Sequence, residues 1–91
     1  MEKADKEKGM EILANKLNEI AEKKPIHIRS LLNFFINDYS KEELYMLALN
    51  LNKCKEKDAF IEDLLVLKDT KQEEKVKKIE EMLEILQNRK N

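Results

Sequence analysis

This sequence is poor in the residues that make tight turns and cross-links. It has one glycine, one proline, one cysteine and no tryptophan in 91 residues. A fold rich in β-hairpins needs many turn residues, so this scarcity argues against such a fold. A lone cysteine excludes an internal disulfide, and we therefore expect a reducing, cytoplasmic environment.

Long apolar runs and an excess of one charge are also absent. No unbroken apolar run comes near the length of about 20 residues that spans a membrane, and the first residues lack the apolar core of a secretory signal. The 18 basic and 19 acidic residues give a net charge of -1, so the chain has no general attraction to nucleic acid or membrane. Because 42% of its residues are apolar, we expect one folded domain over 1–91, with a frayed, charged start at 1–8.

Helix signals dominate what is present. Two segments, 40–43 and 70–73, match the S/T-x-x-E capping box that opens a helix. Apolar residues recur at steps of three and four around them, which predicts an all-α fold, a compact bundle of four to five helices with long first and last helices. The predicted helices cover a first segment up to residue 24, then 26–37, 41–52, 59–68 and 71–88.

The second predicted helix leaves one alternative open, and two residues mark helix starts. The second predicted helix is apolar most of the way round, which is typical of a centrally buried helix, although residues 26–28 could instead form a short extended piece. Pro25 marks the break before it, and Asp58 is the predicted N-cap of the fourth helix.

Catalytic and metal-binding patterns are not found. His27 is the only histidine and has no nucleophile or carboxylate arranged with it in the sequence, so an exposed or partly packed histidine is expected. One histidine and one cysteine are too few for a zinc site, and Gly9 alone makes no phosphate loop. Cys54 lies between lysines, which would lower a thiol pKa, but no second cysteine is present to resolve an oxidised form. We predict no enzyme activity, no cofactor, no metal and no small-molecule substrate.

A helix-turn-helix DNA-binding regulator is the alternative function. The helix pair over 26–52 has the required connectivity, and basic or polar residues lie on and before it. Against this, the candidate recognition helix begins with Glu42 and Glu43, which would repel phosphate. The residues that would serve this function are Lys23, Lys24, His27, Arg29, Lys41 and Tyr45.

Protein–protein interaction is the favoured function. The three middle helices carry more apolar residues than one buried stripe each requires, and an exposed surplus marks an interaction surface. The candidates for an outward surface are Phe34, Met46, Leu49, Leu65 and Val66. The fifth helix carries a second candidate, a 3-4-3 row that could pair with its twin in a short coiled coil or pack on the chain's own core. This row consists of Val76, Ile79, Leu83 and Leu86. We therefore expect a small helical adaptor, regulator or inhibitor that binds another protein, with homodimerisation as an option.

Overall fold

Five α-helices follow one another along the chain in a computed structural model that describes the backbone of residues 2–87 and the side chains of residues 5–87. They are α1 (Glu2–Lys23), α2 (Ile28–Asp38), α3 (Lys41–Leu51), α4 (Lys57–Lys68) and α5 (Glu73–Gln87). No strand is present between residues 2 and 87, and none of these helices is long and apolar enough to cross a membrane. The predicted all-α bundle with long first and last helices is confirmed, since α1 has 22 residues and α5 has 15, against 11 or 12 in the others. Asn88, the predicted end of the last helix, lies outside the described residues.

Pro25 separates α1 from α2 through a single 3-10 turn. Lys24 has φ -139° and ψ 68°, outside the helical region, because the proline ring disfavours a helical residue before it. The turn spans Pro25–His27, and the N–H of His27 donates to the carbonyl of Lys24 at 3.0 Å. The second helix therefore begins two residues later than predicted, at Ile28, and the extended alternative for residues 26–28 is wrong.

The start of α3 is the capping box that the sequence predicts. The backbone N–H of Glu43 donates to Ser40 Oγ at 3.2 Å, and the backbone N–H of Ser40 donates to Glu43 Oε1 at 2.9 Å. These bonds hold the pKa of the Glu43 carboxyl below its usual value, the backbone bond from Ser40 being the largest cause. At the end of α2, the ammonium of Lys78 donates to the carbonyl of Tyr39 at 2.9 Å, where a cation also suits the helix dipole.

The second predicted capping box does not form. Thr70 Oγ1 donates to the carbonyl of Leu67 at 2.9 Å, so this hydroxyl belongs to the end of α4. The first bond of α5 runs from the N–H of Val76 to the carbonyl of Gln72, which places Glu73 at the first helical position instead of the third. The predicted cap of α4 is also wrong, because α4 begins at Lys57 and places Asp58 inside its first turn.

The core is made by one apolar face from each helix. The strongest packing pairs are α1 with α3, α4 with α5, α3 with α5 and α2 with α4. All residues in the buried class of the described chain are apolar. The largest fully buried side chains of α3, α4 and α5 are Leu44, Leu47, Leu51, Phe60, Leu64, Ile79, Met82 and Leu86.

The burial predicted for the second helix needs correction, whereas the fifth helix follows the second of its two alternatives and packs its row on this chain's own core. Ile36 is fully buried, but Phe34 is 55% exposed, and Ile26, before α2, is 81% exposed, so α2 is not surrounded on all sides. α2 packs mainly on α4 and less on α5 and α1, so one of its faces remains open to solvent. In α5, Ile79, Leu83 and Leu86 are buried in this chain's own core, together with Met82, which the 3-4-3 row does not include.

Candidate protein-binding surface

The residues predicted to face outward lie in three separate places. Phe34 is exposed on α2, Met46 (partly buried) and Leu49 (exposed) lie on α3, and Leu65 and Val66 are exposed on α4. Only Met46 and Leu49 line the same depression. The structure therefore does not assemble the predicted outward residues into one surface. Of the α5 row, Val76 alone is partly exposed.

A depression lined almost entirely by apolar side chains lies between α1 and α2. It is an open groove of about 580 Å³. Its α1 side is formed by Gly9, Ile12, Leu13, Lys16 and Ile20, and Met10 and Leu17 lie deeper. Its α2 side is formed by Leu31, Phe35 and, just after the helix, Tyr39. Lys16 is the only charged residue that lines it. We call this the α1–α2 groove.

The α1–α2 groove exists because each of its helices is held by a different neighbour. The N–H of Glu56 donates to Asn18 Oδ1 at 2.9 Å, which fixes α1 to the segment after α3. α2 packs mainly on α4, and at its start the half-exposed Arg29 donates from Nε to Asp63 Oδ1 at 3.2 Å. As a result α1 and α2 make few contacts with each other, and their facing apolar side chains stay partly open to solvent.

Both edges of the groove present apolar surface. On the α1 edge, Ile12 is 55% exposed, and a side chain added at Gly9 would meet only open space. On the α2 side, Tyr39 stacks on Phe35 with ring centroids 5.1 Å apart. Such a groove can take up apolar side chains at little polar desolvation cost.

Ile12 is the edge residue that the sequence prediction does not include. The apolar stripe of α1 that packs on the core runs through Met10, Ala14, Leu17 and Ala21. Ile12 lies outside this stripe. Together with its neighbour Leu13, it extends the apolar surface of α1 beyond the buried face. That extension is the one signal in the sequence for a second apolar face on this helix.

A larger depression of about 730 Å³ lies beside α3 and contains the predicted residues Met46 and Leu49 together with Tyr45. Charged side chains of both signs surround these three residues, and Lys41 Nζ lies 3.4 Å from Glu81 Oε2. A ligand here would have to displace water from several charges. This surface is therefore less suited to apolar docking than the α1–α2 groove.

The residues predicted for nucleic-acid binding are not brought together. Lys23, Lys24, His27 and Arg29 lie around the end of α1, whereas Lys41 and Tyr45 line a depression with Lys6 and Glu7 near its start. The helix between residues 6 and 23 is about 25 Å long at 1.5 Å per residue. Arg29 is paired with Asp63, and α2 and α3 make few contacts, unlike the packed helices of a helix-turn-helix.

The groups with possible reactivity are also separated. In the part of the chain that the structure describes, no three histidine, cysteine, aspartate or glutamate side chains come together to hold a metal ion. His27 is exposed. Burial raises the pKa of the Cys54 thiol, whose sulfur lies 3.5 Å from the carbonyl of Asn50. This direction is opposite to the lowering that the neighbouring lysines predict, because the thiol is partly buried against α1, where its sulfur lies 3.8 Å from the carbonyl of Ala14.

Comparison with models of known families, with curated proteins and with solved structures finds no match for this chain. Any function assigned to it is therefore derived from its own surface. The surface with the clearest chemical character is the α1–α2 groove.

Proposed function

We propose that this chain is a non-catalytic protein-interaction module that binds an apolar helix of another protein in the α1–α2 groove. The observation that carries this proposal is the lining of the groove, which is apolar except for Lys16 and is open to solvent. Open apolar surface of this kind is typical of sites that bind other proteins.

The dimensions of the groove favour a helical ligand. The α1 side runs from Gly9 to Ile20, twelve residues that span about 16 Å. This length matches about three turns of a bound helix, enough for apolar anchors at positions i, i+3 or i+4, and i+7. Phe35 and Tyr39, which line the α2 side of the groove and stack on each other, offer the kind of ring surface that is enriched in protein interfaces.

The cellular role that fits this activity is that of a small adaptor, regulator or inhibitor. The cytoplasm is the proposed location, on the ground of the single unpaired cysteine.

The proposal is tested with a fluorescently labelled, designed amphipathic peptide of about three turns whose polar face is uncharged, titrated with the protein and followed by anisotropy. We expect saturable binding. Replacing the exposed edge residue, Ile12→Asp, should weaken binding at least about fivefold, because roughly half of an isoleucine burial of 1.5–3 kcal/mol is lost and a charge is added.

Leu65→Asp is the matched control. Leu65 is also an exposed apolar helix residue, at 43% exposure, but lies on α4 away from the groove. Its substitution should leave binding unchanged. Absence of saturable binding, or equal weakening by both substitutions, would contradict the proposal, and circular dichroism of both variants verifies that each remains folded.

A further inference from the structure

The first turns of α1 contribute little to the packing of the bundle. The side chains of residues 5–9 are all exposed, and Met10 is the first buried side chain that the structure describes in this helix. No hydrogen bond or ion pair joins residues 5–9 to another part of the described chain. The bonds that tie α1 to the segment after α3 are made further along the helix, at Ala14 and Asn18.

A glycine lies at the junction between these exposed turns and the packed part of α1. Gly9 is the only glycine of the chain and directly precedes Met10. Its φ is not positive, and a side chain added there would meet open space, so neither backbone conformation nor close packing requires glycine. Inside a helix, glycine is less favourable than alanine because it loses more backbone freedom on folding. Gly9 therefore makes α1 weakest just before the point where core packing begins.

The exposed turns form one wall of the larger depression beside α3. Lys6 and Glu7 line this depression together with Met46 and Leu49. The capping bonds of α3 are the main cause of the lowered pKa of Glu43, and the positive charge of Lys6 is a smaller one. Lys6 therefore lies within electrostatic reach of the start of α3. Any movement of these turns changes how far Met46 and Leu49 are open to solvent.

We infer that residues 2–8, which we call the α1 arm, unwind and rewind at Gly9 while the rest of the bundle stays folded, and that the closed arm shields Met46 and Leu49. Local opening of this kind is typical of segments with few buried apolar contacts and solvent-exposed backbone bonds. The frayed start that the sequence predicts corresponds to this arm, with a defined limit at Gly9. The inference is independent of the proposed function, because the arm lies beside α3 and does not line the α1–α2 groove.

Amide hydrogen exchange of the full chain, followed by NMR, tests the hinge. Unwinding of the arm breaks the helical bonds donated by the amides of residues 6–11. Corrected for sequence, these amides should exchange at least about tenfold faster than those of residues 14–22. Gly9→Ala should slow the exchange of residues 6–11 roughly fivefold, the ratio that corresponds to about 1 kcal/mol of helix propensity. Lys77→Ala, on the exposed face of α5, is the matched control and should leave these rates unchanged.

Proline at two positions of α1 distinguishes a hinge from an ordinary helix interior. Gly9→Pro breaks the bonds of the arm, but proline suits the first position of a helix, so the packed part of α1 can begin there. The midpoint of thermal unfolding should fall by no more than about 2–4 °C, the shift expected for an ordinary surface substitution. Glu19→Pro, at an exposed position in the packed part, should lower the midpoint by more than about 10 °C or prevent folding.

The shielding is measured at the side chains of α3. The access of a soluble paramagnetic probe to the Met46 methyl group, followed by NMR relaxation, should be highest in Gly9→Pro, intermediate in wild type and lowest in Gly9→Ala. Access to the methyl groups of Leu65, on α4, should be the same in all three proteins. Equal protection of residues 6–11 and 14–22, or equal destabilisation by the two prolines, would overturn the hinge. Equal access to Met46 in all three proteins would overturn the shielding.

Discussion

The two capping-box sequences of this chain should respond differently to the same change. Ser40→Ala removes the hydroxyl that accepts the N–H of Glu43 at 3.2 Å and leaves that donor without its partner. An N-cap serine replaced by alanine costs about 1 kcal/mol, within a range of about 0.5–2 kcal/mol. For a domain of this size, about 1 kcal/mol lowers the midpoint of thermal unfolding by about 4–8 °C.

Thr70→Ala is the internal control, since Thr70 belongs to the same sequence pattern. Its hydroxyl accepts no helix N–H and only donates to the carbonyl of Leu67, which water can serve instead. We expect a loss below about 0.5 kcal/mol, the level of ordinary surface substitutions. Thermal and urea unfolding followed by circular dichroism measure both values. Equal losses, or a larger loss for Thr70→Ala, would refute the assignment of a formed box to α3 and of an unformed box to α5.

Three further predictions concern the core, the capping carboxylate and the thiol. Leu47→Ala should lower the free energy of unfolding, measured in urea, by about 2–5 kcal/mol because Leu47 is fully buried. Leu31→Ala should lower it clearly less because Leu31 lines the open groove. The reverse order would contradict the packing described above. Because the pKa of the Glu43 carboxyl is lowered in the folded protein, its charged form adds stability at pH values above the unfolded-state pKa of about 4.3. The free energy of unfolding of wild type relative to Glu43→Gln should therefore decrease as the pH falls through the folded-state pKa of Glu43. A difference that stays constant with pH would contradict this prediction. Because burial raises the pKa of the Cys54 thiol, iodoacetamide at neutral pH should modify Cys54 more slowly than it modifies free cysteine. This difference in rate should disappear in denaturant. Equal rates for the folded protein and free cysteine would argue against the burial of Cys54.

The presence of the helices was predictable from this sequence because the spacing of apolar residues and the effect of a helix-breaking residue depend only on nearby positions in the chain. Pro25 restricts the residue before it whatever the tertiary structure, and the break lies where the sequence predicts it. The buried face of α3 likewise follows from its spacing, with Leu44, Leu47 and Leu51 all in the core. These are properties of one segment and its immediate neighbours.

Which of the two capping-box sequences, 40–43 or 70–73, forms its hydrogen bonds was not predictable in the same way. The box at 70–73 does not form because the hydroxyl and the N–H of Thr70 both donate to the carbonyl of Leu67 at the end of α4. The four-residue pattern does not include Leu67 and so cannot predict these bonds. The burial of α2 was overestimated for a similar reason. Whether Phe34 is covered depends on which helices pack on α2, and that is a property of the whole bundle.

The groove could not be read from the sequence because it is a gap between two helices. The apolar spacing of α1 and α2 identifies side chains that prefer burial but does not say whether the two helices meet. The bonds that hold α1 to the segment after α3, and α2 to α4, join residues 38 and 34 positions apart. The packing of α1 on α3 and of α2 on α4, which these bonds accompany, leaves Ile12 and Leu31 lining an open groove.

The most direct test of the account is an amide chemical-shift titration of the ¹⁵N-labelled protein with the designed amphipathic peptide whose polar face is uncharged. Docking in the α1–α2 groove predicts saturable shifts concentrated in residues 9–20 and 31–39, with residues 41–53 of the α3 surface largely unaffected. Shifts centred on residues 41–53, or no saturable shifts at all, would contradict the claim that the α1–α2 groove is the binding surface of this protein.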